Sequence, residues 1–209
     1  QSGADFNGDL LNDPNRVSSY STNYQRAMNM GVYGADLGYA LIYNQAQEGI
    51  RYLNSCKKIS ADLGIASVFT NNLLERFESN VQNQDSLLAL VGEAYLMSDS
   101  YLKESENEDL GILILAGGWI ESLWFATNIA NSTSSNEMSN RVGQQQSSLN
   151  NLIELFTKME NRPENVEELF SALKELRSLY AEVELHYTFE APTTNAEKRI
   201  TVINSRSEA

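Results

Sequence analysis

Cysteine, histidine and proline are nearly missing from this chain, and cations are scarce. One cysteine, Cys56, excludes an internal disulfide. A lone free Cys on a helix reads as a small apolar filler, because a reactive thiol wants a histidine or helix-terminus charge beside it. One histidine, His186, excludes any metal site that needs two imidazoles from one chain. Three prolines (Pro14, Pro163 and Pro192) leave most of the sequence open to long helices, since proline breaks helix interiors. The chain holds 15 Lys+Arg against 28 Asp+Glu, a formal net charge of −13. Nucleic-acid binding needs clustered cations against phosphates, and the longest basic run is Lys57-Lys58, so no nucleic-acid partner is expected. Adhesion to anionic lipid heads is disfavoured on the same ground.

Catalytic sequence signals are absent too. There is no Gly-x-Ser-x-Gly elbow, no second histidine and no glycine-rich phosphate loop. Long apolar runs are lacking as well. Leu110–Ile120 is nearly all apolar, but Asp109 bounds it and Glu121 interrupts it. About 20 residues are needed to span a bilayer, so a buried core helix is expected and no transmembrane span.

What is present is a repeat. Asp36-Leu37-Gly38 recurs as Asp109-Leu110-Gly111, and Glu48 recurs at the same offset as Glu121. Asn71-Asn72-Leu73-Leu74-Glu75-Arg76-Phe77 recurs as Asn150-Asn151-Leu152-Ile153-Glu154-Leu155-Phe156. The register then holds to Tyr101 and Tyr180. A hydrophobic fraction of 42% over 209 residues supports a real core. The expected fold is therefore all-α, a bundle of about seven helices built from two pseudo-symmetric three-helix repeats.

The expected layout follows from local signals. Residues 1–12 are polar and Gly-containing, a flexible leash. Asp13-Pro14 starts a leading helix over 14–31. Repeat one covers 34–104, with helices over 36–61, 67–79 and 85–104. Repeat two covers 109–187, with helices over 109–131 and 141–160 and a third from Pro163 onward. A Ser/Asn-rich loop over 131–140 and a turn at Asn161-Arg162-Pro163 separate its helices. On the third helices, Leu87, Leu90, Val91, Ala94, Met97 and Tyr101 match Val166, Leu169, Phe170, Leu173, Leu176 and Tyr180. The whole of 13–187 reads as one helical domain. The tail, 188–209, with Ile200, Val202 and Ile203 among charges, receives no assignment.

The candidate site residues are Glu48 and Glu121, at equivalent positions on two core helices, with Tyr43, Trp119 and Trp124 nearby. Carboxylates facing each other across a pseudo-axis could hold a metal, share a proton or bind a cationic ligand. The plain alternative pairs Glu48 with Arg51 on its own helix. A di-iron site would need Glu-x-x-His, and positions 51 and 124 hold Arg and Trp. Asp36 and Asp109 read as helix-start charges favoured by the helix dipole. Gly34, Gly38, Gly111, Gly117 and Gly118 read as places where helix backbones approach closely. Asp5-Phe6-Asn7-Gly8-Asp9 with Asp13 has oxygens at alternate positions, but Leu10 and Arg16 stand where an EF-hand loop needs Gly and Glu. No cofactor is expected.

The run Met30-Gly31-Val32-Tyr33-Gly34-Ala35-Asp36-Leu37-Gly38-Tyr39-Ala40, with Tyr43-Asn44-Gln45, and the later Glu108-Asp109-Leu110-Gly111 to Gly117-Gly118-Trp119-Ile120-Glu121, resembles a group of uncharacterised exported, lipoprotein-type all-helical proteins of Bacteroidetes-type bacteria. The resemblance covers most of residues 16–187. It implies an exported protein, periplasmic or anchored to the outer membrane, with a lipid anchor upstream and a protein or small-molecule partner in the cell envelope. It implies no chemistry. A start at Gln1 without initiator Met fits a processed, exported chain. The expected function is a non-enzymatic binding or interaction module. The alternative is a carboxylate-based metal or small-ligand site, open to hydrolysis, between the repeats at Glu48 and Glu121.

Overall fold

Thr22 and Gln25 start the first long helix. The Thr22 hydroxyl accepts from the Gln25 amide, and the Gln25 side chain reaches back to the Thr22 N–H, a reciprocal capping box. The helix, α1, runs Asn23–Ile42 in this computed structural model. The structure describes residues 4–160, 162–195, 200–202 and 206–208. The described chain is all-α apart from a short stranded tail, with eight α-helices among the described residues. After α1 come α2 (Ala46–Asp62), α3 (Asn71–Ser79), α4 (Gln84–Glu104), α5 (Glu108–Thr133), α6 (Asn136–Gly143), α7 (Gln145–Lys158) and α8 (Glu164–Tyr180).

Several boundaries differ from the sequence expectation. The leading helix over 14–31 is instead a 3-10 turn at Pro14–Ser19, then α1 after a fresh cap at Thr22. The helix over 36–61 is cut in two. Asn44 adopts a left-handed conformation (φ 57°), and the Gln45 amide donates back to the Ala40 carbonyl at 2.8 Å. Asn tolerates this geometry, which satisfies the carbonyls at a helix end. The same stop recurs at Gly64 (φ 77°) and Glu106 (φ 56°). The Ser/Asn-rich stretch is mostly helical: Ser135 caps α6 by accepting from Met138, and α6 and α7 replace the single helix over 141–160. Asn161 of the expected turn lies outside the described residues.

The described residues divide into two units within α5, one ending at Phe125 and one starting at Ala126. In the first, α1, α2, α4 and the leading part of α5 bury Tyr33, Leu37, Leu41, Tyr52, Ile59, Leu87, Leu102 and Leu113, with Phe77 from α3. Glycine permits the closest crossing: a Cβ on Gly31 would overlap the Ile114 carbonyl, and one on Gly117 would overlap the Met28 carbonyl. That bears out close packing at Gly117 and Gly118, whereas Gly38 has open space around it. In the second unit, α7 and α8 bury Leu149, Leu152, Phe156, Val166, Phe170, Leu173 and Tyr180. Phe156 stacks on Phe170 at 5.7 Å, and the Tyr180 hydroxyl donates to the Val142 carbonyl at 2.9 Å.

The tail forms two antiparallel pairs, one nested in the other along the sequence. His186–Thr188 (β1) pairs with Arg206–Glu208 (β4), and Thr193–Asn195 (β2) pairs with Ile200–Val202 (β3). Ile203 lies outside the described residues.

Candidate functional site

The site is built from the first unit's two glycine-crossed helices and the segment before them. Asp36 sits in the middle of α1, not at a helix start, and is 0% exposed. The sequence expectation of a first-turn charge fails because Gly31 and Gly34 mark close contact with Ile114 and Tyr95, not a break. Asp109 does lie in the first turn of α5, as expected. Glu121, on α5, is 9% exposed, and its Oε1 is buried without a hydrogen-bond partner.

These two carboxyls lie within electrostatic reach of each other. Burial pushes Asp36 up to about 8, the Glu121 charge pushes the same way, and the Asn12 amide opposes both. Burial likewise pushes Glu121 up to about 7, again opposed by Asn12. No Lys or Arg contributes to either shift. The neighbours of Asp36 are phenols and a thiol. Tyr33, Tyr52 and Tyr95 are all raised, by burial first and by the Asp36 charge among the lesser causes. Cys56 is pushed up to about 12, by burial and then by Asp36. Its thiol donates weakly to the Met30 carbonyl at 3.8 Å, the inert filler its sequence context suggests.

The residues before Thr22 form a strap over this pair. The Asn12 side-chain amide donates to Asp36 Oδ2 at 3.2 Å and Oδ1 at 3.5 Å. The Tyr52 hydroxyl donates to the Asn12 carbonyl at 2.6 Å, and the Tyr33 hydroxyl to the Asp13 carbonyl at 2.9 Å. Ser55 reaches the Pro14 carbonyl, Lys58 reaches Ser18, and the Asn7 amide donates to the Tyr39 hydroxyl. Phe6 packs against Tyr39 and Tyr43. The leash expected over 1–12 is thus laid down from Ala4 onward, while residues 1–3 lie outside the described residues. The supposed calcium loop is spent locally. Asn7 accepts from the Asp9 amide, and Asp13 accepts from Asn15.

Glu48 stands in the first turn of α2, with Arg51 at 3.2 Å, the plain local pairing. The carboxyl that shares the burial of Glu121 is Asp36, which sequence reasoning missed as a site residue. Tyr43 caps α1 and joins Tyr39, Phe6 and Phe125 in one aromatic cluster; Tyr39 stacks on Phe125 at 4.3 Å. Trp119 is half-buried on α5 and Trp124 is 50% exposed. Among the described residues no group of three or more His, Cys, Asp or Glu is placed to hold a metal. A separate apolar recess, lined by residues including Leu53, Phe69, Leu73, Phe77 and Leu90, measures only about 30 Å³, room for about one water.

Comparison with protein families, with curated proteins and with solved structures gives no match.

Proposed function

We propose that this chain is a non-enzymatic interaction module of the cell envelope, exported and partnered by another protein through the apolar surfaces of α4 and α5. One observation carries the reading. The helix α5 is apolar around its whole circumference, yet only 33% of its most apolar 18-residue stretch is buried. A helix of that composition normally hides all its faces. By length and composition it could also cross a membrane, but Asp36 and the α1 glycines pack along one side of it, which favours a core helix with one face left for a partner. On α4, Leu96 is 71% exposed, and Met97 and Tyr101 are exposed one turn apart; on α5, Leu115 is 50% exposed. Exposed apolar clusters of this kind mark interaction surfaces.

The two-repeat design belongs to the same proposal. Its support is the equivalence of α3 and α4 with the end of α7 and with α8, where Leu73, Phe77 and Leu87 and their counterparts Leu152, Phe156 and Val166 are all buried. The envelope location rests on the resemblance of the Met30–Ala40 run.

The test is site-specific photo-crosslinking in the native host. Crosslinkers at Leu96 and Leu115 are expected to give one discrete protein adduct that a crosslinker at exposed Asn151 does not. Adducts that are absent, or equal at all three positions, would overturn the interaction surface. Turnover of any substrate that disappears in Glu121→Gln would overturn the non-enzymatic reading.

A further inference from the structure

We propose that Asp36, Glu121 and the side-chain carbonyl of Asn12 form a binding site for one divalent cation of the calcium class, sealed by the N-terminal strap. Two carboxyls buried on neighbouring helices demand a positive charge or a proton each, since a buried charge left unpaired is costly. Neither has a cationic side chain among the groups that act on it. Independently of the pairing, Glu121 Oε1 is buried and receives no hydrogen bond. Such an oxygen, in a residue 9% exposed and set toward Asp36, is an acceptor with a vacant lone pair.

The donor set selects the ion. Only oxygens converge here, which suits a hard cation. Two carboxylates match a divalent charge. They offer up to four oxygens, and Asn12 adds a fifth when its amide turns its carbonyl inward. Calcium accepts six to eight oxygens in flexible geometry, and water can complete the set from the Asn12 side, where that residue is exposed. Magnesium holds a near-octahedral water shell and loses it reluctantly, which a cleft this closed disfavours. With Asp36 at 0% exposure there is no opening for an organic amine. The strap supplies the entry route: Asn12 covers Asp36 and is tied down by Tyr52.

The facing groups set the pH dependence. Tyr33 from α1, Tyr52 and Cys56 from α2, Tyr95 from α4 and Asp13 from the strap surround the pair, and the phenols and thiol are neutral below about pH 9. Protons and the cation therefore compete for Asp36 and Glu121 alone.

The experiment is thermal unfolding of the full chain at pH 8 and constant ionic strength, after chelation, with CaCl2 titrated in. Asp36→Asn and Glu121→Gln are the site variants; both keep the shape of the neutral acids and are expected to fold. Glu168→Gln, at an exposed position, is the control for binding to the acidic surface. A saturable rise in Tm of about 5–10 °C at a hundredfold excess over Kd is expected in the natural chain and in Glu168→Gln. The rise should be lost in both site variants and weaken at least tenfold in Kd at pH 6. A natural chain with no saturable shift up to about 10 mM CaCl2 would overturn the proposal, as would equal shifts in all four proteins.

Discussion

Replacing Asp36 by Asn should stabilise this protein at alkaline pH and abolish most of its pH sensitivity. The folded state holds a proton on Asp36 up to about pH 8, whereas the unfolded chain releases it in the ordinary carboxylate range. Below about pH 4 both states are protonated and the group contributes nothing. As pH rises from there toward 8, the folded state binds more protons than the unfolded one, so stability falls. Each pH unit in that window costs about 1.4 kcal/mol, an upper limit near 5 kcal/mol for Asp36. Water entry past the exposed Asn12 and local relaxation reduce this, and we expect a loss of about 2–4 kcal/mol between pH 5 and pH 8.5. For a chain of this size that is a fall in Tm of about 5–15 °C. The neutral amide introduced by Asp36→Asn removes the titration and retains the shape. Differential scanning calorimetry in chelator, from pH 5 to pH 8.5, compares the two proteins directly. Taking the difference cancels the general repulsion of an acidic chain, because all other carboxylates are shared. A variant with the same slope as the natural protein, or one less stable than it at pH 8.5, would refute the reasoning.

Two further outcomes follow from the packing. Gly117→Ala drives a methyl into the Met28 carbonyl, which belongs to rigid backbone, and should cost about 3 kcal/mol or more, whereas Gly38→Ala, with open space around it in the same helix pair, should gain about 0.5–1 kcal/mol; urea titration checks both. Cys56 should resist a disulfide reagent at pH 8 in the native protein and react once denatured, because burial pushes its thiol up to about 12; rapid native labelling would contradict the buried, neutral environment.

The helical character was legible because it rests on short-range signals: periodic apolar positions, few prolines and good caps. The ends of helices were less so. Asn44 stops a helix by a backbone conformation that its neighbours in sequence do not announce, and the following Gln45 amide completes the cap only once the turn has formed. The third-helix stripe was half right. Leu87 and Leu90 are buried as expected, but Ser98 and Leu102 take the inner places expected for Met97 and Tyr101, because the glycines of α5 admit the other face of α4. Glu121 was found because it interrupts an apolar run. Asp36 was not, since an Asp two residues after Gly34 looks like a helix start. Its partner Glu121 lies 85 positions away, and Asn12 lies before a segment that composition alone marks as loose. The one readable hint was that Asp36 is flanked at helical spacing by Tyr33, Leu37, Tyr39 and Ala40, all buried.

A buried acid with no cation beside it lowers the stability of any fold at neutral pH, and a leucine or asparagine in its place would not. Asp36 and Glu121 are held in that state by glycine crossings that bring α1 and α5 together and by a strap that shuts water out. The strap itself is fastened by tyrosine hydroxyls and a serine donating to its backbone carbonyls, contacts that form only when residues 12–14 are in place. The geometry therefore couples the charge state of the pair to the seating of the strap. Neutralising the pair, by proton or by cation, favours the closed strap; leaving two bare carboxylates favours water entry and its release. Because α5 carries both Glu121 and the exposed Leu115, the same helix that reports the charge state also presents the apolar surface offered to a partner.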